Sequence, residues 1–309
     1  MKYNSKTAKQ YKQLRCSPYA NKKKTLKHSC LTPDALLRLK SSHNSLGKQK
    51  IETNNPAEIH ISLVKYTDCE DDVCLLEKNG EAKQKTHLLS PFAPKKWKKN
   101  PNEWLSNHDI RDVLSQYEEA YPEFRSFDPS PIDYDTVLND GQCVSNELCN
   151  FSLKTYLADG VTKIGIVFNL DTHNLGGSHW VSMFVDFSGG TKGYILFFDS
   201  TGDRIPKQLM KLKDEIVRQG KYEGIDFVFY KSAVEHQKEN TECGMYSLFF
   251  IITMLSGKIE GEERSMDFIE RMHFFGIKEK YKSRTKRARK IKRISDKYVE
   301  QYRKIYFNL

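Results

Sequence analysis

Three short runs rich in valine, isoleucine and phenylalanine, at 164–170, 180–187 and 194–199, follow one another, separated by turns containing Gly, Asn, Asp and Ser. Apolar runs of this length, bounded by turn formers, read as strands. A fourth is expected at 225–230. Between and after them lie helical patterns. Residues 207–217 read as a helix closed by Gly220, and the apolar run 246–255 behind Cys243 reads as a buried helix. Strands interspersed with helices predict an α+β domain, a central mixed β-sheet flanked by helices.

Upstream, Ile110, Val113, Leu114 and Tyr117 follow the i, i+3, i+4, i+7 spacing of an amphipathic helix. Ser106 and Asp109 supply its capping signal and Pro122 closes it. A proline-rich turn follows at 128–131, and 137–157 carries no clear pattern. A last helix is expected from Ser295, with Tyr298, Tyr302 and Ile305 on one face. The main domain is placed at 91–309. Residues 1–90 form a basic tail and a small, mainly helical arm with little core of its own. Residues 1–30 are polar and frayed, and a helix starts at Pro33, capped by Thr32. Loop-like sequence covers 41–60, a small apolar patch covers 59–66, and 77–87 is a charged linker.

Charge is unevenly distributed. The chain carries a net charge of +10 at pH 7, yet residues 1–27 hold nine Lys or Arg and no acid, and 278–293 hold ten basic residues and one acid. Without these two segments the remainder is acidic. Such runs suit phosphate backbones or acidic proteins through charge alone; the bland reading is a solvated segment. The longest apolar stretch is far short of the roughly twenty residues that span a bilayer. No membrane partner is expected, and the N-terminus lacks the apolar region of a secretory signal. Seven cysteines, an odd number scattered along the chain, argue against a disulfide framework and for a reducing compartment.

The chemistry concentrates in three motifs: Gly177-Ser-His179-Trp180, Phe198-Asp199-Ser200 and Gln237-x5-Cys243-Gly244. A thiol in the first turn of a helix faces unsatisfied N–H groups and the positive end of the macrodipole, a setting that stabilises negative charge on sulfur. Cys243 is therefore the candidate nucleophile. His179, at the mouth of a strand, is the candidate base. Its imidazole must be held in one tautomer, and Asp199, ending the next strand, can do this if the two strands pair antiparallel. The tetrahedral oxyanion needs donors, and the backbone N–H of Cys243 with the amide of Gln237 can supply them. Singly, each residue has a plainer reading, as a buried thiol, a turn-forming aspartate or a core histidine. Their ordered combination points to thiol nucleophilic catalysis. Asp186 and Asp203 are the rival acids, and His173 and His236 the rival bases.

These motifs resemble the signature of the adenain and ubiquitin-like-protein (SUMO) protease superfamily, with its chain order His, Asp or Asn, Gln, Cys. Within it the chain is most similar to the polyprotein-processing proteases of large cytoplasmic DNA viruses, of asfarvirus and mimivirus type. The stretch from His236 through Cys243 to Phe249 carries the likeness, and Cys30-Leu31 with Cys69-x4-Cys74 resemble their N-terminal arm. It is strong over 164–256, looser over 28–160 and 294–307, and absent over 1–27 and over 274–293, which looks like a basic insertion. The resemblance implies a cysteine endopeptidase that cleaves viral structural polyproteins after Gly-Gly during virion maturation, in the virion and the host cytoplasm. It assigns His179 as base, Asp199 as its orienter, Cys243 as nucleophile and Gln237 as oxyanion donor. Trp180 would wall a channel that excludes all but glycine.

No cofactor is expected. Cys69 and Cys74 could bind zinc with Cys16 and Cys30, but the second half-site is poorly formed and free thiols are the expectation. Two other activities suit the same residues. One is an isopeptidase removing SUMO or ubiquitin, which also end in Gly-Gly; the other is an acyltransferase. The use of DNA by adenoviral relatives makes 278–293 a candidate for non-specific nucleic-acid contact.

Overall fold

The structure, a computed structural model, describes residues 11–47, 49–262, 264–277 and 292–309. Most of the basic insertion, 278–291, and the first ten residues of the basic tail lie outside these. The chain forms two compact units, Met1–Ala93 with Tyr306–Leu309, and Pro94–Ile305.

The first unit is built from helices α1 (Pro18–Lys23), α2 (Pro33–Ser45), α3 (Pro56–Thr67), α4 (Asp72–Lys78) and α5 (Lys85–Leu88). Its first three helices each begin with proline behind a side-chain cap, from Ser17, Thr32 and Asn55. Proline has no N–H to lose at that position and the cap satisfies a free one. Contrary to the sequence reading, this unit has a core of its own. Leu14, Leu31, Leu36, Leu39, Ile59 and Leu75 are among its buried side chains. The buried carboxylate of Asp72 ties it together, accepting from Tyr11 Oη, Ser29 Oγ and the Cys30 N–H, all at 2.7 Å. The expected linker at 77–87 is partly helical, and segment 11–30, expected to fray, is packed. Asn308 also belongs here, its side chain bonding the backbone of Arg15 and Ser90.

The cysteines depart from expectation as well. Cys16 pairs with Cys30, Cys69 with Cys74 and Cys143 with Cys149, across Cα separations of 5.1, 5.5 and 6.3 Å, all within disulfide reach. The four arm cysteines considered for zinc are thus joined in pairs. Among the described residues no group of three or more His, Cys, Asp or Glu side chains is placed to hold a metal. The odd count misled because the seventh cysteine, Cys243, is the free one.

The second unit holds a mixed sheet with strand order β1-β3-β4-β5-β6, and β2 beside β3. Its strands are β1 (Phe124–Ser126), β2 (Ser130–Pro131), β3 (Lys163–Asn169), β4 (Trp180–Gly189), β5 (Lys192–Phe198) and β6 (Asp226–Lys231). Strands β3, β4 and β5 pair antiparallel, and β6 lies parallel to β5. A parallel neighbour requires a crossover, and the helix Lys207–Tyr222 provides it.

The helices of this unit are α6 (Asn107–Ala120), α7 (Asn146–Cys149), α8 (Leu153–Ala158), α9 (Lys207–Tyr222), α10 (Cys243–Ser256), α11 (Phe268–Phe274), α12 (Asp296–Glu300) and α13 (Arg303–Tyr306). Leu209, Leu212 and Ile216 of α9 join Ile166, Phe168, Met183 and Phe197 in one core on one face of the sheet. On the other face α10 is buried from Cys243 to Leu255, with the ring of Phe250 stacked 4.8 Å from Phe198. Such complete burial is what an apolar run without a polar stripe requires. Gly220 does not end α9, as expected, but lies inside it. A Cβ there would come within 2.4 Å of the Phe227 ring, so the glycine allows helix and strand to touch. The expected final helix is broken into α12 and α13. No helix among the described residues is long and apolar enough to cross a membrane.

Candidate active site

The β4–β5 hairpin sets the first contact. Its register pairs Ser182 with Phe198, so Asp199, one step further, falls opposite Val181, next but one to His179. The two side chains meet at the same end of the sheet, His179 Nε2 lying 2.8 Å from Asp199 Oδ1. The turn after β5 holds that carboxylate from behind. Thr201 donates to the same oxygen from its N–H at 2.9 Å and its hydroxyl at 2.8 Å. Gly202 allows this turn, with φ of +75° and the Val234 carbonyl carbon 2.8 Å from where a Cβ would stand. That close approach brings the end of β5 against the segment that carries Gln237.

Cys243 opens α10, and no side chain caps that end, leaving its first-turn N–H groups free of side-chain partners. Cys243 acts on the His179 imidazole through hydrogen bonding and charge, both of which favour the imidazolium. Since Nε2 is committed to Asp199, Nδ1 is the nitrogen left for sulfur. Burial works against the imidazolium, but hydrogen bonds to Asp199 and Cys243 and their charges outweigh it, raising His179 to about 10. Burial also opposes the Asp199 carboxylate. Hydrogen bonds from His179 and Thr201 and the imidazolium charge prevail, holding it below the usual range.

Gln237 is 6% exposed, one turn of chain before the nucleophile's helix. Its Oε1 accepts from the Ser200 hydroxyl at 2.6 Å and its Nε2 donates to the Glu239 carbonyl. Trp180 is 7% exposed, with its indole N–H donating to the Leu105 carbonyl at 3.0 Å. It borders a cleft of about 510 Å³ lined also by Trp104, Asn169, Asp171, Leu175 and Gly177. A second depression of about 390 Å³ shares Asn107, Pro129, Pro131 and Val144 with it and extends toward Arg111 and Glu147.

The His179, Asp199 and Cys243 side chains thus lie together at one end of a mixed sheet, with the thiol at a helix start. Residues 161–289 match the C-terminal catalytic domain of the Ulp1 protease family. That stretch is similar to a Ulp1-family catalytic domain. A thiol protease of Acanthamoeba polyphaga mimivirus is 32% identical over 193 residues, covering 61% of each chain. The match thus spans less than two thirds of that relative. An African swine fever virus protein named a SUMO-1 cysteine protease is 26% identical, over 59% of this chain and 72% of its own. The crystal structure of the African swine fever virus protease superposes with a TM-score of 0.59 at 19% identity, covering 96% of both chains, which establishes a shared fold.

The rival acids and bases are placed elsewhere. Asp186 accepts from the N–H and hydroxyl of Ser188, and Asp203 lies 3.0 Å from the Thr201 hydroxyl. His173 pairs with Asp133 at 2.6 Å. His236 is fully buried, with Nδ1 accepting from the Ile294 N–H and Nε2 facing the Phe275 carbonyl. Burial foremost, and the Arg293 charge, lower it to about 4 against that carbonyl, so it is neutral at pH 7.

Several supporting residues escaped the sequence reading. Asn169 Oδ1 accepts from the N–H groups of Asp171 and Ser178, while Asp171 accepts from the Gly177 N–H and the Ser178 hydroxyl. Together they pin the loop that delivers His179. Behind the nucleophile, the Glu242 carboxylate pairs with Arg303 at 3.1 Å, with side-chain exposures of 3% and 4%. The Arg303 guanidinium lies 4.5 Å from the centre of the Trp97 ring. An Asn-x-Asp turn between strands was the only local signal of the first group; nothing in the sequence linked Glu242 to Arg303.

Proposed function

We propose that this protein is a cysteine endopeptidase that cleaves viral structural polyproteins after Gly-Gly during virion maturation. The observation that carries the reading is the contact of the His179 imidazole with both Cys243 and Asp199 beside the Trp180-walled cleft. Its viral relatives, named thiol and cysteine proteases, support it.

The mechanism follows from the geometry. Cys243 sulfur attacks the scissile carbonyl as the thiolate, with His179 as imidazolium. Negative charge then develops on the carbonyl oxygen, where the Cys243 N–H and the free N–H of the Gln237 amide donate to it. The imidazolium protonates the leaving amine, which departs and leaves a thioester on Cys243. His179, now neutral, takes a proton from water, and the hydroxide formed hydrolyses the thioester. Asp199 keeps the ring oriented and stabilises its charged form. Selection for glycine arises from access. The bulk of Trp180 beside the cleft supports a preference for residues without a Cβ.

The SUMO-1 protease name of one relative favours a second reading, an isopeptidase acting on SUMO or ubiquitin conjugates. Incubation with a Gly-Gly-X peptide from a capsid precursor and, separately, with a SUMO conjugate distinguishes them. Cleavage of the peptide alone supports the maturation role, and cleavage of the conjugate alone overturns it. Lysine modification from labelled acetyl-CoA without proteolysis would assign an acyltransferase. The basic run 278–293 contributes non-specific, salt-sensitive nucleic-acid binding, which neutralising its ten basic residues should weaken. Polyprotein substrates place the enzyme in the virion and the cytoplasmic site of assembly.

A further inference from the structure

We propose that Ser200 is a positioning residue that sets the orientation of the Gln237 amide and joins it to the turn carrying Asp199. The inference rests on the reading of Gln237 as oxyanion donor. Ser200 is 1% exposed and holds Gln237 through two contacts and its neighbour His236 through a third. Its carbonyl accepts from the N–H groups of His236 at 2.7 Å and Gln237 at 2.8 Å, and its hydroxyl donates to Gln237 Oε1 at 2.6 Å.

An amide side chain has two orientations of nearly equal shape, and only its partners choose between them. The Glu239 carbonyl can only accept, so it requires Nε2. With Nε2 so placed, the Ser200 hydroxyl donates to Oε1 from the other side and completes that orientation. Both partners agree on one orientation. It leaves Nε2 with a second N–H for a developing negative charge. The reversed amide would present a lone pair to that charge and turn attraction into repulsion. Ser200 also follows Asp199 directly, so one turn of backbone positions the acid of the triad and the donor of the oxyanion site. Movement of either would be felt by the other.

Removing the hydroxyl leaves Oε1 buried without a donor and the amide, held only by the Glu239 carbonyl, free to tilt. Ser200→Ala should therefore lower kcat about tenfold with KM little changed, and Gln237→Ala about a hundredfold. The double variant Ser200→Ala/Gln237→Ala should be no slower than Gln237→Ala alone, because Ser200 acts through that amide. Alkylation of Cys243 by iodoacetamide, which passes through no oxyanion, should stay within about twofold of wild type in Ser200→Ala. If Ser200→Ala does not fold, Ser200→Cys, similar in shape with a weaker donor, serves in its place. Full activity in the Ser200 variant beside an impaired Gln237→Ala overturns the proposal and spares the oxyanion reading. Multiplicative losses in the double variant, or alkylation falling in step with turnover, also overturn it. An unimpaired Gln237→Ala overturns the oxyanion reading itself, and the role of Ser200 with it.

Discussion

His179 Nε2 and Asp199 Oδ1 lie 2.8 Å apart because two strands meet in one register, Ser182 against Phe198. A slip of one residue would send the two side chains to opposite faces of the sheet. The contact is thus a property of the hairpin, and the hairpin is buried on both faces.

Its first consequence is a pH profile. His179 is raised to about 10, so its interactions stabilise the fold fully below the unfolded imidazole value near ~6.5 and are lost as pH rises through about 10. Asp199 is depressed. Its contribution is present above the unfolded carboxylate value near ~4 and is lost as pH falls through the lowered one. The imidazolium that protonates the leaving amine should therefore persist far into the alkaline range. We expect the alkaline limb of kcat/KM near pH 10, and Asp199→Asn should move it down toward the ordinary imidazole range. A wild-type limb already in that range would contradict the assignment.

Gly244, the residue after the nucleophile, packs against Leu105. A Cβ added there would lie 3.0 Å from Leu105 Cβ and 3.2 Å from its Cδ1. Leu105 in turn holds the Trp180 indole through its carbonyl. Gly244→Ala should push Leu105 by a few tenths of an ångström and loosen Trp180. We expect a fall in kcat/KM of about tenfold, since small misplacements of positioning groups have large effects on rate. Discrimination between Gly-Gly and Ala-Gly peptides should relax as well. Unchanged discrimination would show that Leu105 does not govern the tryptophan.

Stability should depend on the pair behind the nucleophile. Burial raises the Glu242 carboxyl despite its pairing with Arg303, so the carboxylate is poorly compensated without it. Arg303→Met should destabilise by about 3–5 kcal/mol, as expected when one partner of a buried pair is removed. Glu242→Gln combined with Arg303→Met should recover much of that loss in chemical denaturation. Equal destabilisation in single and double variants would mean that stacking on Trp97, rather than charge, dominates.

Acid should loosen the segment that carries Gln237. His236 is lowered to about 4, so between its unfolded value near ~6.5 and pH 4 the unfolded chain binds the extra proton and stability falls as pH falls. From pH 7 to pH 5 this single group should remove about 2 kcal/mol. His236→Gln should show a shallower acid dependence by that amount, measured as unfolding free energy at both pH values. Identical slopes would refute the assignment.

Local features were legible in advance. The capping box of α6 is formed as Ser106 and Asp109 imply, because both partners lie within one turn. The strands and the nucleophile's helix follow from runs whose apolar side chains must all be buried. Other features were not legible. The arm's core draws on Leu14, Leu36, Ile59 and Leu88, which no single periodic segment gathers. Gly220 read as a terminator because close packing against Phe227 has no local signature.

The amino-acid order alone determined strands β3 to β6, helices α6, α9 and α10 and the candidate reactive residues, since those follow from neighbours within a few positions. Tertiary structure decided which acid met His179, which cysteines paired and which way Gln237 turned its amide. Those choices join residues up to scores of positions apart, and their energies exist only once strand register and burial have been set.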